Sequence, residues 1–317
     1  MDHRDRLLSF FALCFVTQPP IPSIGTLERL PHIESEHVKV RNVDVWLPPG
    51  YRENPEKRYP VLYMHDGQNL FDPYYSYTGV AWGVDSALHR LIEQGRAPEC
   101  LVVGVWNTDL RFMEYIPNKP LEYLSPQDRE RFREQHYLPN SYSDDYLRFL
   151  TGELKPVIDD AYRTLPDRDN TFISGSSMGG LISLYALCEY PHIFGAAACL
   201  STHWPIVHEP NNSQFRDVFL RYLDLRLPDP DRCRVYFDFG TATLDALYEP
   251  HQYSVDILMR ARGFTPENWV TRKFDGAEHS ERSWQERLTI PMEFLLSGRI
   301  TEDGGTDPNG GYFSKAA

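Results

Sequence analysis

The 317-residue chain is poor in basic residues and has no dense cluster of them. It contains 32 Lys and Arg against 45 Asp and Glu, which gives a formal net charge of −13 at pH 7. Proteins that bind nucleic acid neutralise the backbone phosphates with clustered Lys and Arg. The composition therefore argues against a nucleic-acid partner, and the acidic balance otherwise indicates only a soluble protein.

Cysteine is scarce, and no two cysteines form a CxxC pair. The chain has five, an odd number, and Cys188 and Cys199 lie in apolar surroundings. Metal sites and disulfide frameworks are typically recognised by paired spacings, which are missing here. We expect the cysteines to act as small buried hydrophobic residues.

No apolar run reaches the roughly 20 residues that span a membrane, so we predict no stable membrane insertion. The stretch "LLSFFALCFV" (7–16) follows Arg4 and Arg6 and has about the length of the apolar region of a signal peptide. Asp2 and Asp5 dilute the positive end, and no small-x-small cleavage site follows. An exported or periplasmic location and a cytoplasmic one are equally compatible with this sequence.

Segments typical of strands and helices alternate over residues 38–297. Continuous apolar runs such as "CLVVGVW" (100–106) predict buried strands, and helical segments such as "MGGLISLYALCEY" (178–190) separate them. This alternation predicts βαβ units, and therefore an α/β fold with a mostly parallel central sheet flanked by helices on both faces. The alternating segment 37–51 predicts an antiparallel strand at the sheet edge.

Three stretches fall outside this pattern. Residues 1–37 form an N-terminal segment with a Pro-rich linker, and residues 298–317 form a Gly-rich polar tail that we expect to be loose. Residues 112–142 form a charged insertion with several aromatic residues. Long loops in compact domains are usually functional or disordered, so this insertion is a candidate lid.

The residues "GSSMG" (175–179) match the pattern G-x-S-x-G between a predicted strand and a predicted helix. In that context the pattern predicts a nucleophile elbow, where the serine takes a strained backbone conformation and its neighbours must be small. Ser177 is then the exposed nucleophile, and Ser174 and Ser176 are spacers. The amide of Met178, at the helix N-terminus, is predicted to point at the oxyanion of a reaction intermediate.

A nucleophilic serine needs a general base, and His279 lies just past the last predicted strand. Sites in open parallel sheets are built at the carboxyl ends of the strands, where the loop of His279 would lie. His65 and His203 are alternatives, and each could instead be a hydrogen-bonded histidine of the pocket or the core.

The acidic partner is expected after the strand "RVYFDFG" (234–240), where Asp245 is the best-placed carboxylate. Asp238 lies inside the strand, and Glu249 is predicted to be helical already. The order serine, acid, histidine along the chain is the one expected for this architecture. The acid would hold the imidazole tautomer and stabilise the imidazolium.

A second oxyanion donor is expected in the loop after "VLYMHDG" (61–67), and the amide of Gln68 is the natural candidate. The Asp-Gly pair before it could also be a simple turn. Trp82, Trp204 and Tyr115 are candidates for stacking on a sugar or aromatic ring of the substrate, with His65 as a pocket residue. Ordinary packing is the alternative for each.

Four stretches in this order carry a family resemblance: "VLYMHDGQNLFD" (61–72), "SGSSMGGLISLYAL" (174–187), "YFDFGTATLDALYEPHQ" (236–252) and "GAEHSERSWQERL" (276–288). They resemble the esterase family of α/β hydrolases, which includes esterase D-like proteins, feruloyl and acetyl-xylan esterases, enterochelin esterases and mycolyltransferases. The likeness extends over residues 38–297.

The resemblance implies an α/β-hydrolase fold that needs no metal and no organic cofactor. It implies that Ser177 is the nucleophile, His279 the base, and the amides of Gln68 and Met178 the oxyanion donors. Relatives commonly carry the acid within a few residues of the Gly-Thr pair found here at 240–241. This chain has Ala-Thr next, so the acid shifts to Asp245 or is missing, and a Ser–His dyad stays open.

The sequence thus predicts a serine carboxylic ester hydrolase that acts through an acyl-enzyme on a small-molecule or carbohydrate-linked ester, with aromatic acyl esters included. If the insertion at 112–142 excludes water, the acyl group could pass to a sugar hydroxyl, which would make the protein an acyltransferase. If the acid is lost, the chain could be a catalytically silent binding protein on the same scaffold.

Overall fold

The computed structural model describes residues 19–135, 141–205 and 214–297. The signal-like stretch at 7–16, the tail at 298–317 and residues 136–140 of the insertion lie outside this part of the chain. Within it, no helix combines the length and apolar character needed to cross a bilayer. Cys100, Cys188, Cys199 and Cys233 are buried free thiols, as the sequence predicts.

One eight-stranded sheet forms the centre of the fold. Its strands are β1 Thr26–Ile33, β2 Arg41–Leu47, β3 Val61–His65, β4 Leu101–Val105, β5 Thr171–Ser176, β6 Ala196–Leu200, β7 Arg234–Gly240 and β8 Trp269–Phe274. Their order is β1-β2-β4-β3-β5-β6-β7-β8, with β2 antiparallel to both neighbours and all later pairs parallel. The predicted mostly parallel sheet with an antiparallel edge is confirmed.

Helices cover both faces of the sheet. They are α1 Val84–Glu93, α2 Arg111–Tyr115, α3 Pro126–Gln135, α4 Ser143–Arg148, α5 Lys155–Ala161, α6 Met178–Glu189, α7 Gln214–Arg226, α8 Glu249–Ala261, α9 Glu281–Arg287 and α10 Thr289–Ser297. One apolar core contains residues of α4 to α8 with Val61 and Tyr63, and the other contains residues of α1, α9 and α10 with Leu62 and Met64. Successive residues of a strand point to opposite faces, which divides β3 between the two cores.

The folded domain begins earlier than the predicted boundary at residue 38. Strand β1 lies inside the predicted N-terminal segment and pairs with β2, with Thr26 opposite Leu47. Only Leu27 of this strand is buried, so the alternating pattern is weak. Pro31 further obscures it, although an edge strand tolerates proline because one side has no ladder to complete.

The described part of the 112–142 insertion is mostly helical rather than a structureless loop. It contains most of α2, a 3₁₀ turn at Lys119–Tyr123 and α3. Tyr115 and Leu121 are buried in the core that also contains α6, whereas none of the side chains that the structure describes in α3 is buried. The first half of the candidate lid is therefore part of the packed domain.

Candidate active site

Ser177 lies in the turn between β5 and α6, at the carboxyl edge of the sheet. Its backbone has φ 59° and ψ −122°, a conformation that is costly for a residue other than glycine. A Cβ at Gly175 would lie 2.9 Å from the carbonyl of Gly179 and from the ring of His65, so only glycine fits there. A Cβ at Gly180 would lie 2.9 Å from Thr202 Oγ1. The small residues thus permit the tight bend that the sequence pattern predicts.

The neighbouring strand β6 holds this bend in place. The Ser177 amide donates to the Leu200 carbonyl at 2.8 Å, and the Ser177 carbonyl accepts from the His203 amide at 3.2 Å. Because both hydrogen bonds use the backbone, they fix the turn without engaging the serine hydroxyl.

Strained backbone conformations gather at the same edge of the sheet. Four non-glycine residues with positive φ follow four successive strands in the sheet order: Asp66, Ser177, Ser201 and Thr243. Such conformations cost about 1–3 kcal/mol each and concentrate at functional sites. This clustering supports the edge as the place where ligands bind, in agreement with the rule for open α/β sheets.

Asp245 and His279 are joined by a hydrogen bond of 2.6 Å between Oδ1 and Nδ1. The buried Asp245 also accepts from Ser201 Oγ and from the Gly240 amide, each at 2.6 Å. Burial raises the pKa of the Asp245 carboxyl, but the hydrogen bonds from His279, Ser201 and Gly240 outweigh burial and hold its pKa below the usual value. An ionised carboxylate therefore faces the imidazole.

The loops that carry Asp245 and His279 are hydrogen-bonded to each other. The His279 amide donates to Thr243 Oγ1 at 2.8 Å, and the Thr241 amide donates to the Ala277 carbonyl at 3.1 Å. A Cβ at Gly240 would overlap the Ala277 carbonyl oxygen. The two loops therefore approach closely, and residue 240 has no room for a side chain.

The alternative acids have other partners. Asp238 is buried inside β7, where it forms an ion pair of 2.9 Å with Arg287. Glu249 lies 3.0 Å from Lys273. Among the carboxylates that the sequence offered for this role, Asp245 has a hydrogen bond to His279.

Tyr248 contacts both Ser177 and His279. Its ring meets the His279 ring edge-on, with 5.6 Å between ring centroids. Burial and the charge of Asp245 raise the pKa of Tyr248, and an interaction with the Ser177 side chain partly opposes them. In the described chain no direct hydrogen bond joins the side chains of Ser177 and His279, but both lie against the same tyrosine. Tyr248 was missed from the sequence, although it lies only one 3₁₀ turn beyond Asp245.

The two predicted oxyanion donors follow adjacent parallel strands. Gln68 lies in the turn after β3, and Met178 begins α6 directly after Ser177. Within the described residues, neither amide has a backbone acceptor. The turn of Gln68 is fixed by Asp66, which accepts two hydrogen bonds of 2.7 Å from Arg111. The geometry leaves both amides available to a ligand at this edge.

The predicted substrate-contacting side chains are buried. Trp82, Trp204, Tyr115 and His65 are each at most 2% exposed. The Trp204 indole N–H donates to Gln252, Trp82 packs on Trp284, and Tyr115 packs on His65. These contacts place the four side chains in the core rather than at a pocket mouth. Sequence reasoning located their segments near the site but could not determine which way the rings point.

Replacing His65 with asparagine is expected to weaken the acid dependence of stability. Burial lowers the pKa of His65 to about 3, against about 6.5 in an unfolded chain. Between these values the unfolded chain binds a proton that the folded protein does not. Stability therefore falls as the pH drops below about 6.5, by up to about 1.4 kcal/mol per pH unit.

Asparagine does not titrate, and its amide can replace Nδ1 in the 2.8 Å hydrogen bond with the Tyr146 hydroxyl. Urea unfolding between about pH 7 and about pH 4 should show a shallower slope for His65→Asn than for the wild type. Equal slopes for the two proteins would show that His65 titrates normally in the folded state.

Comparison with known proteins gives one family and a common fold. The family model described as "Putative esterase" matches residues 37–293. The uncharacterized protein YbbA of Bacillus subtilis strain 168 is 27% identical over 266 residues, which cover 80% of this chain and 92% of that protein. An endo-1,4-beta-xylanase/feruloyl esterase of Xylanibacter ruminicola is 24% identical over 180 residues, 56% of this chain and 22% of that protein.

Two solved structures superpose on most of the chain. A ferulic acid esterase has a TM-score of 0.62 at 22% identity, and covers 87% of this chain and 98% of its own. The enterobactin esterase FES from Shigella flexneri has a TM-score of 0.63 at 19% identity, with coverages of 88% and 61%. At these identities the likeness concerns the fold, which is that of the α/β hydrolases.

Proposed function

We propose that this chain, which belongs to the esterase family and is a carboxylic ester hydrolase, acts through Ser177, His279 and Asp245. The observation that carries this proposal is the 2.6 Å hydrogen bond between Asp245 and His279. In the same structure Ser177 has the strained backbone conformation that is typical of a nucleophile elbow. This combination supports a triad over the Ser–His dyad and over a silent binding protein.

In the proposed mechanism, His279 takes the proton of the Ser177 hydroxyl as the oxygen attacks the ester carbonyl. The amides of Gln68 and Met178 stabilise the oxyanion of the tetrahedral intermediate. The alcohol then leaves with the proton from His279, and water releases the acyl group from Ser177 by the same steps. Asp245 remains ionised and orients the imidazole throughout.

We extend the proposal to esters with aromatic acyl groups such as ferulate. Ferulic acid esterase and feruloyl esterase appear in the names of two of the similar proteins, of which one spans nearly the same length. The family membership alone supports only an ester substrate. Methyl ferulate and p-nitrophenyl acyl esters of increasing length would therefore be the first substrates to compare, followed by acetylated xylan.

A fluorophosphonate probe tests the nucleophile directly. Such probes react with activated serines, so we expect a single adduct on Ser177 in the folded protein and none after denaturation. Mass spectrometry of the tryptic peptides locates the adduct. Absence of an adduct, together with no turnover of any ester in the panel, would contradict the proposal. Faster acyl-donor turnover with added sugar alcohol would instead favour the acyltransferase.

A further inference from the structure

Ser201 binds the oxygen of Asp245 that does not face His279. Its hydroxyl lies 2.6 Å from Asp245 Oδ2, whereas His279 Nδ1 is bonded to Oδ1. We propose that Ser201 is a positioning residue of the triad, which shares the Asp245 charge with the buried Arg287 and thereby extends activity to lower pH. This inference goes beyond the proposed function but rests on the roles proposed there for Asp245 and His279.

The hydrogen-bond partners of Ser201 Oγ fix the direction in which its hydroxyl points. Two N–H groups donate to this oxygen, Trp284 Nε1 at 3.0 Å and Arg287 Nη2 at 2.8 Å. A hydroxyl has one hydrogen and two acceptor lone pairs, and indole and guanidinium nitrogens only donate. Because both lone pairs are occupied, the hydrogen lies on the short bond to Asp245 Oδ2. Ser201 is therefore a fixed donor to the carboxylate.

Arg287 brings a positive charge to the same place. Its Nη2 lies 4.0 Å from Asp245 Oδ2, and it also donates to Asp238 Oδ1 at 2.9 Å. The side chains of Arg287 and of both aspartates are at most 3% exposed, and charges interact strongly where water is excluded. Ser201 Oγ bridges the guanidinium and the Asp245 carboxylate, so the hydroxyl links the triad acid to a buried cation.

The position of Ser201 itself is fixed by β7 and α9. Its backbone has φ 42°, and its amide donates to the Asp238 carbonyl at 2.8 Å and to Asp238 Oδ1 at 3.1 Å. Strained conformations of this kind persist only where the surroundings impose them. Trp284, which donates to Ser201 Oγ, also packs edge-on against the His279 ring, with 5.1 Å between ring centroids. The orientation of Ser201 and the packing of His279 therefore depend on the same helix.

Removing the Ser201 hydroxyl should make the Asp245–His279 pair bind a proton more tightly. A carboxylate that loses a hydrogen-bond donor directs more of its negative charge at the imidazole, and a nearby opposite charge favours the protonated ring. A protonated imidazole cannot take the proton of the nucleophile. The fall of activity on the acid side should therefore begin at a higher pH.

Other titratable or charged groups face the pair and stay in place when Ser201 is changed. Arg287 of α9 and Asp238 of β7 form an ion pair of 2.9 Å. Burial raises the pKa of the Asp238 carboxyl, and the charge of Arg287 opposes that rise. Tyr248 packs against the His279 ring, and burial raises the pKa of this tyrosine well above its usual value, so the phenol stays protonated. A shift in a Ser201 variant therefore reports the loss of the hydroxyl.

The test measures kcat/KM for p-nitrophenyl acetate from about pH 5 to about pH 9 in the wild type, Ser201→Gly and Ser201→Ala. Glycine suits the positive φ at this position, whereas alanine keeps the Cβ. We expect the acid limb of the profile to move up by about half a pH unit or more in both variants, with a loss of about threefold to tenfold on the plateau. An unchanged limb, or a shift to lower pH, in either folded variant would overturn the inference.

Ser183→Ala is the matched control, because the Ser183 hydroxyl is also buried and donates to the Gly179 carbonyl at 2.7 Å inside α6. It should leave the acid limb in place, and an equal shift there would overturn the inference. The double variant Ser201→Gly/Asp245→Asn should be no less active than Asp245→Asn alone, since Ser201 acts through the carboxylate. Additive losses would show that Ser201 acts elsewhere.

Thermal unfolding midpoints identify any variant that loses activity by unfolding. The two proposals fail in different ways. A wild type that hydrolyses no ester contradicts the proposed function, whereas an active wild type whose acid limb is unchanged in the Ser201 variants contradicts this inference alone.

Discussion

Replacing Ser177 with alanine is expected to lower kcat for p-nitrophenyl acetate by about 10⁵–10⁶-fold, to the level that binding and oxyanion stabilisation sustain alone. The hydroxyl at this position is the nucleophile of the proposed mechanism, and alanine leaves His279 without the serine proton that it takes there. Steady-state kinetics on protein free of contaminating esterases measures the loss. The folded state should be retained, because the elbow is held through the backbone of Ser177 rather than its side chain.

Ser174→Ala provides the matched control. Ser174 is fully buried in β5, and its hydroxyl has no hydrogen-bond partner among the described residues, so its removal costs little. We expect Ser174→Ala to keep kcat within about threefold of the wild type. Retention of more than about one per cent of the wild-type kcat by Ser177→Ala would place the nucleophile elsewhere in the chain.

Replacing Asp245 with asparagine is expected to lower kcat by about 10³–10⁴-fold with a smaller change in KM. With the amide oxygen on Ser201 and Gly240, the amide NH2 would face His279 as a donor, so the imidazole would lose its hydrogen on Nδ1 and with it the preferred tautomer. The neutral amide would also no longer stabilise the protonated imidazole. Asparagine is nearly the same size as aspartate, and its oxygen can still accept from Ser201 and Gly240. Kinetics on p-nitrophenyl acetate and circular dichroism of the variant separate a chemical effect from a structural one.

Glu249→Gln makes the same carboxylate-to-amide change at the nearest rejected candidate. Because Glu249 pairs with Lys273 at the protein surface, we expect kcat within about threefold of the wild type. A wild-type kcat for Asp245→Asn would mean that the enzyme works as a Ser–His dyad. Equal losses in the two variants would mean that neither carboxylate is the specific partner of His279.

The nucleophile turn could be predicted because its constraints are local. A serine at φ 59° between a strand and a helix requires small neighbours within a few residues, and Gly175, Gly179 and Gly180 provide them in the sequence itself. The position of His279 followed from the count of strands and the common edge of a parallel sheet. Neither prediction needed a contact between distant side chains.

The acid could not be fixed from sequence, because its place depends on how the loop after β7 folds back. Thr243 adopts a left-handed conformation at φ 53°, and a 3₁₀ turn at Thr243–Leu247 follows. Together they return the Asp245 carboxylate to the Gly240 amide at the end of the strand. Counting residues from the Gly-Thr pair at 240–241 suggests that the acid is displaced or missing. The folded loop, however, places the Asp245 carboxylate beside His279.

Two elements of the fold were missed for different reasons. Strand β1 has one buried residue and a proline, so its sequence carries little strand signal. Helix α7 does carry a helical pattern, since Phe215, Phe219, Tyr222 and Leu223 recur at helical spacing and are all buried. The charged residues of this helix, among them Arg216, Asp217 and Arg221, make its sequence polar overall and obscure that pattern.

The hydrogen-bonded pair of loops after β7 and β8 has a consequence for how this site can vary among relatives. The Asp245 carboxylate is positioned by hydrogen bonds with the Gly240 amide, with Ser201 Oγ and with His279 Nδ1 of the opposing loop, and these three contacts fix where its oxygen atoms lie. They leave the number of residues between the strand and the acid unspecified. An insertion that folds into one extra turn before Asp245 would therefore leave the carboxylate oxygens within hydrogen-bond distance of Gly240, Ser201 and His279.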